Sequence, residues 1–138
     1  MLVYEIMRKP VTVIQATTLL GEAFQQLQTH GFRHLPVMEQ GRLVGVLTDR
    51  DIRFATSSLS PAPRTAGDPV SLAMSSPATT ADPLDPIEDA ARIMRDRKIG
   101  CLPVVVSLDT RSEQAARERR DLVLTVIEKA RLAGGGGE

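Results

Sequence analysis

The chain has 138 residues, with 17 Lys and Arg balanced by 17 Asp and Glu, so its formal net charge is zero. That balance argues against a surface built to grip a nucleic-acid backbone or an anionic membrane. Apolar residues make up 42% and aromatic residues 3%, with no Trp, which gives an aliphatic core and no platform for stacking single-stranded bases.

A lone Cys101 and two histidines, His30 and His34, exclude a disulfide framework, a multi-cysteine zinc site and an HExxH array. No apolar run reaches the roughly 18 residues that a transmembrane helix needs. The opening MLVYEIMRKP lacks the pattern of a secretory signal. A cytoplasmic protein with no membrane association is the expectation.

In chain order, a short helical turn is predicted to end at Met7, followed by an extended piece from Val11 to Ile14. Leu19, Leu20, Ala23, Phe24 and Leu27 then share one face of an amphipathic helix. A buried strand follows from Leu35 to Met38, a hairpin turn at Glu39-Gln40-Gly41, and a strand from Leu43 to Leu47. Thr48-Asp49-Arg50-Asp51 leads into a second helix, Ile52 to Thr56. The order is β-α-β-β-α. Ser57 to Asp68, rich in Ser, Pro, Ala and Gly, reads as a linker.

The order then begins again. At an offset of 67 residues Val3 falls on Val70, Met7 on Met74, Pro10 on Pro77, Thr12 on Thr79 and Ala23 on Ala90. Leu35-Pro36-Val37 falls on Leu102-Pro103-Val104 without a gap, the mark of an internal duplication. The second copy predicts an extended piece at Ala78-Thr79-Thr80 and a helix with Ile87, Ala90, Ala91 and Met94 on one face. Asp85 suits its N-cap, Pro86 its first position and Glu88 a capping-box partner. A strand from Leu102 to Val106 comes next.

After Val106 the copies diverge. The short turn is replaced by Ser107 to Arg120, with a charged, helix-prone run from Ser112 that most simply forms a solvated face. Leu122 to Ile127 is the candidate missing strand, with a short helix from Glu128 to Leu132 and a flexible Gly134–Gly137 tail. If Leu122-Val123 matches Leu43-Val44, Ile127 stands where Thr48 stands and Ala130 where Asp51 stands. Degeneration of the copy and a local irregularity such as an altered reading frame both account for this. The expected divisions are residues 1–56 and 69–132 as two units, 57–68 as linker and 133–138 as tail.

The pattern M-x-x-P-x-T, helix, R-H-L-P-V, then G-R-L-V-G-V-L-T-D-R-D-I resembles the CBS domain, here as a tandem pair or Bateman module; its most specific piece is LVGVLTDRDI at 43–52. The resemblance implies an α+β fold of two pseudo-symmetric βαββα units packed sheet to sheet, the second irregular after Val106. It further implies two clefts between the units that bind adenosine derivatives such as AMP, ADP, ATP or S-adenosylmethionine. Dimerisation, an unknown target protein and a regulatory, non-catalytic role also follow from it, with no metal and no cofactor beyond such a regulatory nucleotide.

In that family one copy's Thr-x-x-Asp works with the other copy's first strand and LPV segment. The intact cleft would combine Thr48, Arg50 and Asp51 with Thr79, Thr80, Cys101, Leu102 and Pro103. A weaker cleft would combine Thr12, Val13, Arg33, His34, Leu35 and Pro36 with Ile127 and Ala130, without hydroxyl or carboxylate. A helix start suits phosphate, and a carboxylate suits a ribose diol. Simpler readings stand beside these: Asp51 as a helix cap, Thr48 as a strand end, His34 as a structural histidine and Cys101 as a small buried hydrophobe. The competing function is a dimerising scaffold with a vestigial pocket. No paired-carboxylate, Cys-His or metal arrangement supports an enzyme.

Overall fold

The 67-residue offset reappears in the backbone hydrogen bonds of a computed structural model, which describes residues 1–6, 12–108 and 120–128. Val3 N–H donates to Asp85 O, and Val70 N–H donates to Thr18 O, each at 2.8 Å. Tyr4 N–H reaches Pro83 O as Ser71 N–H reaches Ala16 O. In each pair donor and acceptor are both displaced by the repeat length, so the duplication holds in hydrogen bonding as well as in sequence.

The chain forms two compact units, one of residues 12–78 and one of residues 1–11 with 79–138. The central unit contains β1 (Ile14–Gln15), α1 (Leu20–His30), β2 (His34–Glu39), β3 (Arg42–Thr48) and α2 (Asp49–Thr56). Its sheet has the order β1-β2-β3, with β1 parallel and β3 antiparallel to β2. A two-residue turn, Gln40–Gly41, joins β2 to β3 with both residues at positive φ, the conformation that matches strand twist in tight hairpins.

The other unit contains α3 (Ile87–Arg97), β4 (Cys101–Leu108) and β5 (Arg120–Glu128), with β4 and β5 antiparallel. Ala81 bridges Val104 in parallel, as Ile14 pairs with Val37 in β1 and β2. The first strand of this copy is thus centred on Ala81 rather than Ala78 to Thr80. β5 is the missing strand. The helix-prone run from Ser112 and the Gly134–Gly137 tail lie outside the described residues, as does the proposed last helix apart from Glu128, which ends β5.

Each core is an aliphatic layer between helix and sheet. Leu20, Ala23 and Leu27 of α1 pack with Leu35, Val37, Leu47 and Ile52. Ala90 and Met94 of α3 pack with Leu102, Val104 and Ala81. Leu19 and Phe24, expected on the buried face of α1, are 40% and 41% exposed.

Each core also contains a residue from a short 3₁₀ turn, Val3–Ile6 or Val70–Leu72. Val70 joins the core of α1, and Val3 joins the core of α3. Sequence copies and packing units are therefore offset by one segment: each turn packs on the copy to which it does not belong in sequence. Met7, the expected end of the first turn, lies outside the described residues.

The residues two before each turn also explain the helix starts. Ile87 N–H donates to Met1 O, and Leu20 N–H donates to Asp68 O. A first helical N–H that already has a carbonyl needs no side-chain cap. The cap of α3 is therefore Pro86, with no side-chain bond. Asp85, expected there, instead accepts Asp82 N–H in the preceding turn.

Both helices end in the left-handed conformation, α1 on Gly31 with φ 65° and α3 on Lys98 with φ 55°. Glycine takes that geometry freely, whereas lysine does so against its Cβ.

Candidate functional site

The joint between β3 and α2 gathers the polar residues of the central unit. The strand register sets Thr48 opposite His34, so the end of β3 lies beside the start of β2. The helix then begins with a capping box. Thr48 Oγ1 accepts Asp51 N–H and Asp51 Oδ2 accepts Thr48 N–H, both at 3.0 Å. Thr48 is thus the cap and Asp51 its reciprocal partner, an arrangement that satisfies two backbone donors at once.

The second Asp51 oxygen is also engaged. Ser75 Oγ donates to Asp51 Oδ1 at 3.1 Å. Ser75 is held there by reciprocal backbone bonds with Val46, at 2.9 and 3.0 Å, and the neighbouring Ser76 Oγ donates to Val44 O at 2.8 Å. Gly45 makes room for this segment: a Cβ at Gly45 would lie 2.7 Å from both Met74 Sδ and Ser75 O. Sequence reading missed Ser75. The available signal was Met74-Ser75-Ser76-Pro77, which repeats Met7-Arg8-Lys9-Pro10 with two hydroxyls in place of two cations.

On one side of the joint lies a cavity of about 390 Å³ bordered by Phe32, Arg33, Thr48, Asp49 and Arg50. It places a hydroxyl and two guanidinium side chains at a helix N-terminus, a favourable setting for an anion. Neither guanidinium has an ion pair among the described residues. Asp49 Oδ2 pairs with Arg53 at 2.8 Å, while its Oδ1 is buried without a hydrogen-bond partner. A second groove, of about 770 Å³, is bordered by Arg50, Asp51, Phe54, Arg64 and Leu72.

The remaining sequence-predicted residues fall as follows. In the central unit Thr12 and Val13 are exposed, His34 is half-buried, and Leu35 and Pro36 are buried. Thr79, Thr80, Cys101, Leu102 and Pro103 belong to the other unit. There Thr79 accepts a bond from Arg97 at 3.3 Å, Thr80 is exposed, and Cys101, Leu102 and Pro103 are buried. Leu35 and Leu102 are each 0% exposed and serve as core. Among the described residues there is no cluster of His, Cys, Asp or Glu fit to hold a metal, and no helix long and apolar enough to cross a membrane.

The register of β5 corrects the alignment of the second joint. Val104 pairs with Thr125 as Val37 pairs with Gly45, and a bulge follows at the equivalent place in both hairpins. Cys101 pairs with Glu128 as His34 pairs with Thr48. Glu128, not Ile127, therefore occupies the position of Thr48. Counting on, Arg131 and not Ala130 corresponds to Asp51, and it lies outside the described residues.

A sequence profile of the CBS domain matches residues 3–58 and 68–112. The chain is 34% identical over 103 residues to the CBS domain-containing protein YhcV of Bacillus subtilis, covering 75% of this chain and 71% of that protein. It is 32% identical over 142 residues to a CBS domain-containing protein of Dictyostelium discoideum, covering 92% of this chain and 94% of that one. Among solved structures, the CBS domain pair of protein MJ0100, in complex with 5′-methylthioadenosine and S-adenosyl-L-methionine, matches with a TM-score of 0.75 and 27% identity over 99% of this chain and 98% of that chain. With two matched copies, the same offset in its hydrogen bonds and relatives of this kind, the chain belongs to the CBS domain family as a small tandem pair.

Proposed function

We propose that the chain is a non-catalytic regulatory module that binds an adenosine compound and passes the signal to a partner protein. The observation that carries the reading is the β3–α2 joint, where Thr48 and Asp51 meet at one helix N-terminus beside Arg33 and Arg50. Thr48 Oγ1 uses a lone pair for the cap, which leaves its proton to donate to a phosphate or carboxylate. Asp51 Oδ1 keeps one lone-pair direction beyond its bond to Ser75, enough to accept one hydroxyl of a ribose diol.

The pair of protein MJ0100 binds two adenosine compounds, which supports this ligand class here. Thr79, Thr80, Cys101, Leu102 and Pro103 enter the proposal from the sequence resemblance. The second joint has Glu128 at the position of Thr48. The second joint thus lacks the Thr-x-x-Asp pair, with Glu128 and Arg131 in its place in the sequence, so one competent site per chain is the expectation. The residues grouped around Thr12, Val13, His34, Leu35 and Pro36 form the weaker one, while Arg33, grouped with them by the resemblance, borders the cavity at Thr48.

Signalling needs no chemistry: a ligand that favours one arrangement of the module shifts its population, and a partner reads the shift. Phe24 and Phe54, 41% and 74% exposed on α1 and α2, support a homodimer that covers these helical faces. A cytoplasmic location accords with this role. The second reading is a dimerising scaffold, favoured by one observation: both Asp51 oxygens already hold bonds within their own unit.

A thermal-shift screen with AMP, ADP, ATP, 5′-methylthioadenosine and S-adenosylmethionine tests the proposal. A ligand at about 100 times its dissociation constant stabilises the folded chain by about 2.7 kcal/mol and raises its melting temperature. No shift with any of them favours the scaffold.

A further inference from the structure

We infer that Ser75 is a positioning residue of the ligand site, acting on a ribose diol by fixing the carboxylate of Asp51. The inference rests on the adenosine reading and adds to it a residue outside the Thr-x-x-Asp motif. A carboxylate bonded through only one oxygen can still swing about its last side-chain torsion, which is broad. Asp51 is bonded through both. Oδ2 accepts Thr48 N–H and Oδ1 accepts the Ser75 hydroxyl. The carboxylate plane is set, and the free lone pairs point in set directions before any ligand arrives. Such preorganisation lowers the ordering cost of binding.

Ser75 can do this because its own backbone is fixed. Its N–H and C=O both pair with Val46, and the next residue bonds Val44 O. Gly45 lets this segment lie against β3 where a side chain would collide with it. The same bonds argue against Ser75 as a latch that the ligand releases. Breaking one hydroxyl bond leaves the three bonds to Val46 and Val44 intact, so the segment stays in place.

The experiment is calorimetry on the intact chain with two probes, AMP and its 2′,3′-dideoxy analogue, using wild type, Ser75→Ala and Ser75→Thr. Ser75 is exposed, so neither substitution disturbs the core. AMP should bind Ser75→Ala about threefold to tenfold more weakly, the loss of one hydrogen bond. Ser75→Thr, which keeps the hydroxyl, should bind as wild type does. The dideoxy analogue should bind wild type and Ser75→Ala equally, since it has no diol for Asp51 to receive. Equal AMP affinity in wild type and Ser75→Ala overturns the role of Ser75 and leaves the ligand reading standing. An equal loss for both probes also overturns it, since the effect would then be structural. No binding of AMP by the wild type, nor of any other adenosine compound of the thermal-shift screen, overturns the adenosine reading and the Ser75 inference together.

Discussion

The two hairpins of this chain share a register and a bulge, yet end differently. The first closes with Thr48 opposite His34, and the second with Glu128 opposite Cys101. Scaffold and polar tip have thus been held to different standards. The cores on both sides keep Leu-Pro-Val, a buried valine from a 3₁₀ turn and an alanine-lined helix, because each must exclude water to fold. The residues paired at the strand ends, Thr48 with His34 and Glu128 with Cys101, lie outside these core clusters and differ between the copies. Symmetry in this chain reports on packing, and the asymmetry is concentrated at the strand ends, where the proposed ligand site lies in one copy only.

The largest effects should fall on the shared part. Leu35→Ala and Leu102→Ala each remove a fully buried side chain at equivalent positions. Each should cost about 2–5 kcal/mol in denaturant unfolding. If one is silent, the equivalence of the two cores fails.

Gly45→Thr sharpens the contrast between hairpins. Gly45 and Thr125 occupy the same register position, but a Cβ at Gly45 would come 2.7 Å from Ser75 O, a backbone atom. Threonine there should cost about 1–3 kcal/mol through overpacking, read as a lower denaturation midpoint. A neutral result would show that the Met74–Ser76 segment yields easily.

The smallest effect is a gain. Lys98 ends α3 in the left-handed conformation that Gly31 adopts at the end of α1. Lys98→Gly should relieve that strain and stabilise the chain by about 1 kcal/mol, seen as a modest rise in melting temperature. A fall would place the strain elsewhere.

How much of this was legible in the sequence follows from the range of each interaction. The Leu-Pro-Val repeat predicted β2 and β4, and the turn at Gln40–Gly41 was visible because local conformation dictates it. The capping box was only half legible: the tetrapeptide was seen, but Asp51 appeared as a cap and not as the partner of Thr48. The carbonyls that receive the first N–H groups of α1 and α3 were out of reach, since they belong to Asp68 and Met1, distant in sequence. The exchange of Val3 and Val70 was hidden for the same reason: their identity marks them as buried without saying in which core. The register of β5 was missed by one residue. Leu122 to Ile127 is apolar on both faces except at Thr125, and a strand without alternation does not specify its own register. The resemblance brought Thr48 and Asp51 forward; for Ser75 the repeat showed two hydroxyls in place of two cations, but its bond to Asp51, 24 residues away, is a tertiary contact that no local pattern encodes.

The central claim is that an adenosine compound binds at the joint built on Thr48 and Asp51 and not at its counterpart. Calorimetric titration of AMP into wild type and Asp51→Asn tests it most directly. Asparagine keeps a carbonyl oxygen for the Thr48 N–H, so the helix start survives while the charge is lost. The wild type should bind AMP at one site per chain. Asp51→Asn should bind about tenfold or more weakly, the value of a charge-assisted hydrogen bond of about 1.5–3 kcal/mol. Two equal sites per chain, or unchanged affinity in Asp51→Asn, would contradict it.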